Sequence, residues 1–132
     1  MDLLHASIAE LGRLLAAGET SSEQLTRAYL DRVARYNRRL NAYLCVFEAE
    51  AEESARARDR ESAVGETRGP LHGIPVALKD IFDIQGHPTT AGGVLLPDTP
   101  AAADAEVIRR LRAAGAVLLG KLNLHEFAWG GT

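Results

Sequence analysis

The chain has 132 residues, of which 46% are hydrophobic and 25% are charged. These proportions are typical of a globular domain and exclude a disordered, collagen-like or low-complexity chain. The formal net charge is −3, so there is no excess of lysine and arginine to bind a phosphate backbone or an anionic membrane. We therefore expect no direct nucleic-acid partner.

Cysteine and histidine usage bears on the compartment and on metal binding. The single cysteine, Cys45, excludes an internal disulfide framework and is expected to pack as a small hydrophobic residue. The first residues lack the pattern of a signal peptide, and no apolar run is long enough to span a membrane. Four histidines lie in different segments without the paired spacing of metal ligands: His5, His72, His87 and His125. We expect a cytoplasmic protein with no membrane span and no metal site.

Helices are predicted for most of the N-terminal half. Apolar residues at spacings of three and four form one face of a first predicted helix, which Gly18 can end: Leu4, Ile8, Leu11 and Leu15. Ser21 and Ser22 can cap a second helix, whose apolar face holds Leu25, Tyr29, Val33 and Tyr36. Residues 42–47 are β-prone and fit either a short extended segment or the entry to the next helix. Residues 48–63 have little apolar periodicity, which predicts a solvated helix.

From Gly69 onward the pattern changes to strand, loop, helix and strand. Residues 74–78 are apolar at consecutive positions, as in a strand that helices cover on both faces. Thr99 and Pro100 are the predicted cap and first residue of a helix that ends near Gly115. A second apolar run at 116–119 completes a βαβ unit. The predicted fold class is α/β, with N-terminal helices followed by this unit.

A lysine stands at the end of each apolar run, Lys79 after the first and Lys121 shortly after the second. Ligands in open α/β sheets bind beyond the carboxyl ends of the strands, so both lysines are candidate site residues. Burial against an apolar sheet favours the neutral amine, which can then act as a base. Alternatively, each ammonium pairs with a carboxylate, such as Asp80, Asp83 or Glu126. The residues alone leave both roles open, and the case for catalysis is weaker for Lys121.

Two motifs resemble the amidase signature family. The first is Gly-Pro-Leu-His-Gly-Ile-Pro-Val-Ala-Leu-Lys-Asp at residues 69–80, and the second is Gly-Lys-Leu-Asn-Leu-His-Glu-Phe-Ala at residues 120–128. Thr-Thr-Ala-Gly at 89–92 and the helix predicted at 103–115 lie between them, which makes the match specific. The resemblance covers the whole chain, since members of the family typically begin with helices like those predicted here. It implies a larger mixed-sheet fold and the hydrolysis of carboxamides, or their transfer to another acceptor.

The resemblance also implies a Ser–cis-Ser–Lys triad, in which Lys79 is the lysine by motif position. The family's two serines lie downstream of residues 130–132, and the serines of this chain match neither position: Ser7, Ser21, Ser22, Ser54 and Ser62. We therefore expect this chain to hold one member of the triad. The loop that ends the chain is expected to approach the substrate, with Ala128, Gly130 and Gly131 as candidate binding residues.

The expected domain organisation follows from this resemblance. Residues 1–132 would be the N-terminal part of an amidase signature domain, incomplete at the C-terminus. Residues 1–64 form its helical portion, and residues 65–132 form the βαβ unit with its loop.

Three functions compete. The leading hypothesis is a free-standing amidase that acts on a small-molecule amide, without a cofactor and either alone or as a homo-oligomer. The second is the A subunit of a tRNA-dependent glutamine amidotransferase, which liberates ammonia from glutamine for a partner subunit. Its members tend to have Asp-Glu-Phe-Ala-Met-Gly-Ser where residues 125–131 read His-Glu-Phe-Ala-Trp-Gly-Gly, which favours the first hypothesis. The third is a non-catalytic amidase fragment or interaction module.

Overall fold

A computed structural model describes residues 3–96 and 98–130. Within these ranges it has four α-helices and three strands: α1 (Ile8–Ala16), α2 (Ser22–Leu40), β1 (Tyr43–Val46), α3 (Glu48–Ala63), β2 (Pro75–Lys79), α4 (Glu106–Ala113) and β3 (Val117–Leu122). Short 3₁₀ helices cover Leu3–His5 and Glu126–Ala128. None of the helices in the described part of the chain is long and apolar enough to cross a membrane. The predicted α/β fold class is confirmed.

The strands form a mixed sheet in the order β1–β3–β2. The central strand, β3, is antiparallel to β1 and parallel to β2. Because α4 connects the two parallel strands, the predicted βαβ unit is present. The β-prone segment at 42–47, for which the sequence left two possibilities, contains β1. Within this sheet β2 is an edge strand, and its last residue is Lys79.

The core lies on both faces of the sheet. Val117 and Leu119 of β3 pack with Leu30 of α2 on one face. Leu118, between them in sequence, packs with Ile108 of α4 on the other face. Successive residues of a strand point to opposite faces, so a continuous apolar run is needed to serve two layers. The sheet is therefore covered by helices on both sides, as the apolar run predicts.

Side-chain caps begin the first two helices. The Ser7 side chain accepts a hydrogen bond from the Glu10 amide, and the Glu10 carboxylate accepts one from the Ser7 amide at 2.7 Å. Ser21 and Gln24 form the same reciprocal pattern at the start of α2. The predicted capping role is confirmed for Ser21, whereas Ser22 is buried and its hydroxyl donates to the Gly73 carbonyl at 2.8 Å.

The predicted solvated helix, α3, is only partly solvated. Ala51 and Ala55 are 1% and 0% exposed and pack against Val117 and Leu119 of β3. The apolar face of α3 consists of small residues, which allow close approach but give a weak periodic signal in sequence. The prediction was right about the helix and wrong about its buried face.

The start of α4 was predicted too early. Thr99 and Pro100 do not open the helix, which begins at Glu106 after Ala105 and has no side-chain cap. The preceding segment is used in tertiary contacts instead: the Ala101 carbonyl accepts from the Gly86 amide, and the Ala101 amide donates to the His87 carbonyl, both at 3.0 Å. Pairing with this turn replaces the first helical turn that the Thr-Pro pattern predicts.

The second strand of the βαβ unit runs further than the apolar run predicts. Gly120 and Lys121 belong to β3, where Lys121 is in register with Leu78. Gly120 has φ +154°, and a Cβ there would collide with the Cys45 carbonyl and Val46 of β1. Glycine is therefore required where the backbones of β1 and β3 approach most closely. Lys121 consequently lies inside a strand and not in the loop after it.

Candidate active site

Lys79 is the last residue of the edge strand β2, and its side chain is exposed. Its backbone pairs with Leu122 of β3. Within residues 3–96 and 98–130, the Lys79 ammonium takes part in no hydrogen bond or ion pair. The fold therefore places this ammonium at the carboxyl end of a strand, where no group in the described part of the chain binds it.

Lys121 has the opposite environment. Its side chain is 2% exposed, and its ammonium lies 2.5 Å from Oδ1 of Asp80, which is also 2% exposed. The ammonium donates two further hydrogen bonds, to the Pro88 carbonyl at 2.6 Å and to the Thr89 hydroxyl at 2.8 Å. All three protons of this ammonium thus have an acceptor or an anionic neighbour. The carboxylate-paired alternative is confirmed for Lys121.

Asp80 joins the strand end to the loop at residues 88–93. Its Oδ2 accepts from the Thr90 hydroxyl at 2.5 Å and from the Thr90 amide at 3.0 Å. Its Oδ1 faces Lys121 and accepts no other hydrogen bond from the described residues. The Asp80 carbonyl also accepts from the Ala91 amide at 3.0 Å. Sequence reasoning named Asp80 as a possible lysine partner, but it quoted the two threonines only as part of the Thr-Thr-Ala-Gly stretch and gave them no role in the site.

The loop after β3 carries the candidate binding residues Ala128 and Gly130, while Gly131 lies outside the described residues. Ala128 and its neighbour Phe127 have positive φ values of 54° and 53°. Gly130 has φ +152°, and a Cβ there would collide with Cε1 of the His125 imidazole. The structure thus describes a tightly turned loop at this end of β3, in which both candidate positions are exposed.

This loop is held by the loop at residues 88–93. The Phe127 amide donates to the Ala91 carbonyl at 2.8 Å. A Cβ on Gly92 would lie 2.8 Å from the Leu124 carbonyl, and one on Gly93 would lie 2.5 Å from the Glu126 carboxylate. Glycine is needed at position 92, where φ is +71° and the neighbour is backbone, whereas the exposed Glu126 side chain could move away from a Cβ at position 93. A continuous path of backbone hydrogen bonds therefore leads from the residue after Lys79 to the candidate binding loop.

The Asn123 side chain, directly after β3, accepts a hydrogen bond from the Leu124 amide and donates one to the Asn41 carbonyl. The 3₁₀ helix begins later, after His125, without a side-chain cap. Cys45, expected to pack as a small hydrophobic residue, is exposed on β1. Partial desolvation, with Glu50 adding to it, raises the pKa of the thiol, which makes it a poor nucleophile near neutral pH.

Two other features of the described residues lie outside the strand-end region. No group of three His, Cys, Asp or Glu side chains in this part of the chain is arranged to hold a metal ion. A cavity of about 1290 Å³ lies between α1, the start of α2 and residues 65–73. Asp59, which lines it, is already engaged, since its carboxylate accepts from the Ser22 and Glu23 amides at 2.7 and 2.9 Å. The strand ends, where the Lys79 ammonium is exposed, are the better candidate site.

Comparison with known proteins agrees with this topology. A family model described as Amidase matches residues 24–132. The chain belongs to the amidase signature family. The A subunit of the glutamyl-tRNA(Gln) amidotransferase of Thermobifida fusca is 50% identical over 129 residues, which is 98% of this chain and 26% of that protein. The chain therefore spans about a quarter of the length of the curated relatives it matches.

Solved structures of two amidases resemble this chain over nearly its whole length. The peptide amidase of Stenotrophomonas maltophilia has a TM-score of 0.89 and 43% identity, covering 96% of this chain and 26% of that protein. An amidase family protein from Bacillus anthracis has a TM-score of 0.85 and 33% identity, covering 95% and 25%. The helices, the mixed sheet and its strand-end loops thus correspond to one segment of a larger amidase fold.

Proposed function

We propose that this chain is the N-terminal part of an enzyme that cleaves carboxamide C–N bonds, and that Lys79 is its general base. The observation that carries the proposal is the contrast between the two strand-end lysines. Lys121 is buried and has three partners, whereas the Lys79 ammonium is exposed and unengaged within the described residues. A base must be able to take up and release a proton, which a lysine locked in a buried ion pair cannot do without breaking that pair.

The proposed reaction uses two serines supplied by the remainder of the protein. Neutral Lys79 accepts a proton that the bridging serine relays from the nucleophilic serine, whose oxygen attacks the amide carbonyl. The C–N bond breaks, the leaving ammonia or amine takes the proton, and an acyl-enzyme remains. Water then hydrolyses the acyl-enzyme, or another acceptor takes the acyl group. Every one of the five serines in residues 1–132 lies in the N-terminal half, remote in sequence from the site.

Lys79 needs a less solvated environment than it has in this chain. Burial favours the neutral amine of a lysine, which is the form that can accept a proton. Among the described residues, the edge strand β2 pairs with β3 on one side and with no strand on the other. We propose that the remainder of the protein packs on this free edge, desolvates Lys79 and brings the serines to it.

Substitution of Lys79 in the full-length protein tests this role. Lys79→Arg and Lys79→Ala are both expected to lower turnover by a factor on the order of 10⁴, because a guanidinium cannot accept the serine proton. The matched control is Arg39, an exposed cation at the end of α2, for which Arg39→Lys and Arg39→Ala should leave turnover unchanged. Near-normal turnover of propionamide or benzamide by Lys79→Arg would refute the assignment.

Lys121→Arg is not a suitable control. The buried ammonium lies within 2.8 Å of three oxygen atoms, and the larger guanidinium has no room there. We expect this variant to be destabilised for reasons unrelated to proton transfer. A loss of activity in it would therefore say nothing about Lys79.

The second candidate is the A subunit of a glutamine amidotransferase. The observation that favours it is the 50% identity to the Thermobifida fusca protein. The residues at 125–131 depart from the Asp-Glu-Phe-Ala-Met-Gly-Ser pattern expected of such subunits. A glutaminase assay separates the two candidates: a free-standing amidase turns over simple amides by itself, whereas an amidotransferase component releases ammonia from glutamine and depends on its partners.

A further inference from the structure

A gain in stability does not explain why the Asp80–Lys121 ion pair is buried at the strand ends. Both side chains are 2% exposed, so each loses most of its hydration on folding. Desolvation of two ions costs several kcal/mol, and apolar residues of similar volume are often as stabilising as the pair they replace. A buried ion pair is therefore better explained by the geometry that it enforces.

The pair ties three backbone segments together at the carboxyl end of the sheet. Lys121 belongs to β3 and holds residues 88–89 through the Pro88 carbonyl and the Thr89 hydroxyl. Asp80 follows Lys79 and holds Thr90 through two hydrogen bonds to Oδ2. The Asp80 amide also donates to the Leu122 carbonyl at 3.0 Å. The charged pair thus fixes the loop at 88–93 against the ends of both parallel strands.

The loop at residues 88–93 also connects Asp80 to the candidate binding loop through backbone hydrogen bonds. The Ala91 amide donates to the Asp80 carbonyl, and the Ala91 carbonyl accepts from the Phe127 amide. Ala91, Phe127 and Ala128 have φ values of 52°, 53° and 54°, a conformation that residues with a Cβ rarely adopt. Such strain persists only where the surrounding structure determines the backbone, and it is concentrated at functional sites. Ala91 connects the residue Asp80 of the ion pair to the candidate binding loop, and Phe127 and Ala128 lie in that loop.

We propose that Asp80 and Lys121 are positioning residues, which fix the backbone of Lys79 relative to the loop at residues 124–130 by clamping residues 88–91. The inference rests on the proposed function, in which Lys79 is the base. Neither residue contacts substrate or transfers a proton. They act by holding the strand end and the loop at a constant separation.

The first arm of the test measures the clamp without measuring activity. Thr90→Val removes the hydroxyl that donates to Asp80 and accepts from the Gly92 amide, and it leaves the ion pair in place. We expect the amides of Ala91 and Phe127 to exchange about tenfold faster with solvent deuterium, because the loop opens locally more often. Amides of α2 should be unaffected. Unchanged exchange at both loop amides, with the protein folded, would overturn the clamp.

The second arm measures activity in the full-length enzyme with both charges removed. Asp80→Asn combined with Lys121→Met leaves no unpaired buried charge, so this double variant should be more stable than Lys121→Met alone. We expect kcat to remain about 100-fold below wild type, because a displacement of about 1 Å is enough for such a loss. The KM for the same amide should change by a smaller factor.

The control is a partly buried ion pair outside the clamp. Arg58 and Glu61 of α3 pair at 2.7 Å with side chains 12% and 21% exposed. Arg58→Met combined with Glu61→Gln should affect stability without changing kcat. If the Asp80–Lys121 double variant regains both stability and kcat, the pair is only structural and the proposal is wrong.

Failure of the underlying function can be told apart from failure of this inference. If Lys79→Arg keeps its activity, the proposed base is wrong whatever the exchange rates show. If Lys79→Arg is inactive while both Thr90→Val and the Asp80–Lys121 double variant keep wild-type kcat, the base stands and the positioning role is refuted.

Discussion

Ion pairs in the helical layer and at the strand ends of this chain differ in what surrounds the charges. On α2, Arg27 and Glu23 pair at 3.0 Å with side chains 55% and 31% exposed. At the strand ends, Lys121 and Asp80 pair at 2.5 Å with both side chains 2% exposed. Exposed pairs contribute little to stability, whereas a buried pair leaves a costly charge when one partner is lost. The exposed pairs of the helical layer and the buried pair at the strand ends thus differ in how much stability is lost when one partner is removed.

The largest expected effect is the loss of one partner at the strand ends. Lys121→Met leaves the Asp80 carboxylate buried without its counter-ion, which should lower the free energy of unfolding by about 3–5 kcal/mol. The matched change in the helical layer is Arg27→Met, which should have almost no effect. Chemical denaturation of both variants measures the difference. Equal destabilisation would contradict the distinction between the two regions.

A smaller effect is expected where α3 packs on the sheet. Ala55→Leu inserts a larger side chain at a site that is 0% exposed, which should cost about 1–3 kcal/mol. Ala49→Leu, on the exposed face of the same helix, makes the same change in helix propensity without overpacking and should be close to neutral. If both variants unfold at the same denaturant concentration, α3 does not pack as described.

The smallest expected effect depends on pH. A hydrogen bond from Arg68 lowers the pKa of Glu61, with Arg58 and His72 acting in the same direction. Because the folded-state pKa lies below the unfolded value of about 4.3, Glu61 contributes stability above that pH and loses it as the pH falls through the folded value. Wild type should therefore be more stable than Glu61→Gln at pH 7, and the difference should shrink on acidification. A difference that grows in acid would contradict the sign.

Local patterns predicted the parts of the fold that local interactions determine. The cap at Ser21, the apolar stripes and the two-sided burial of β3 follow from spacing and residue type, whereas the cap at Ser7 was not predicted. The start of α4 was wrong because Ala101 pairs with the turn at residues 86–87. The buried face of α3 was missed because alanine gives little periodic signal.

The candidate site could be predicted only in part for a similar reason. The motif at residues 69–80 identifies Lys79 as the candidate triad lysine, and the catalytic role of Lys79 stays a prediction. Local patterns left both lysines with the same two alternatives, because each stands near the end of an apolar run. The fold separates them: Lys121 is a residue of the central strand, and Lys79 ends an edge strand. The threonines that complete the Lys121 site come from a distant loop, which no local pattern connects to the strand.

Amine labelling tests this separation of the two lysines most directly, because the chain has no others. A short exposure of the folded chain of residues 1–132 to an acylating reagent, followed by peptide mass spectrometry, gives the relative rate at each lysine. We predict that Lys79 reacts at least about tenfold faster than Lys121, whose modification requires local opening, and that the rates converge in denaturant. Equal labelling of the two lysines in the folded protein, or faster labelling of Lys121, would contradict this separation.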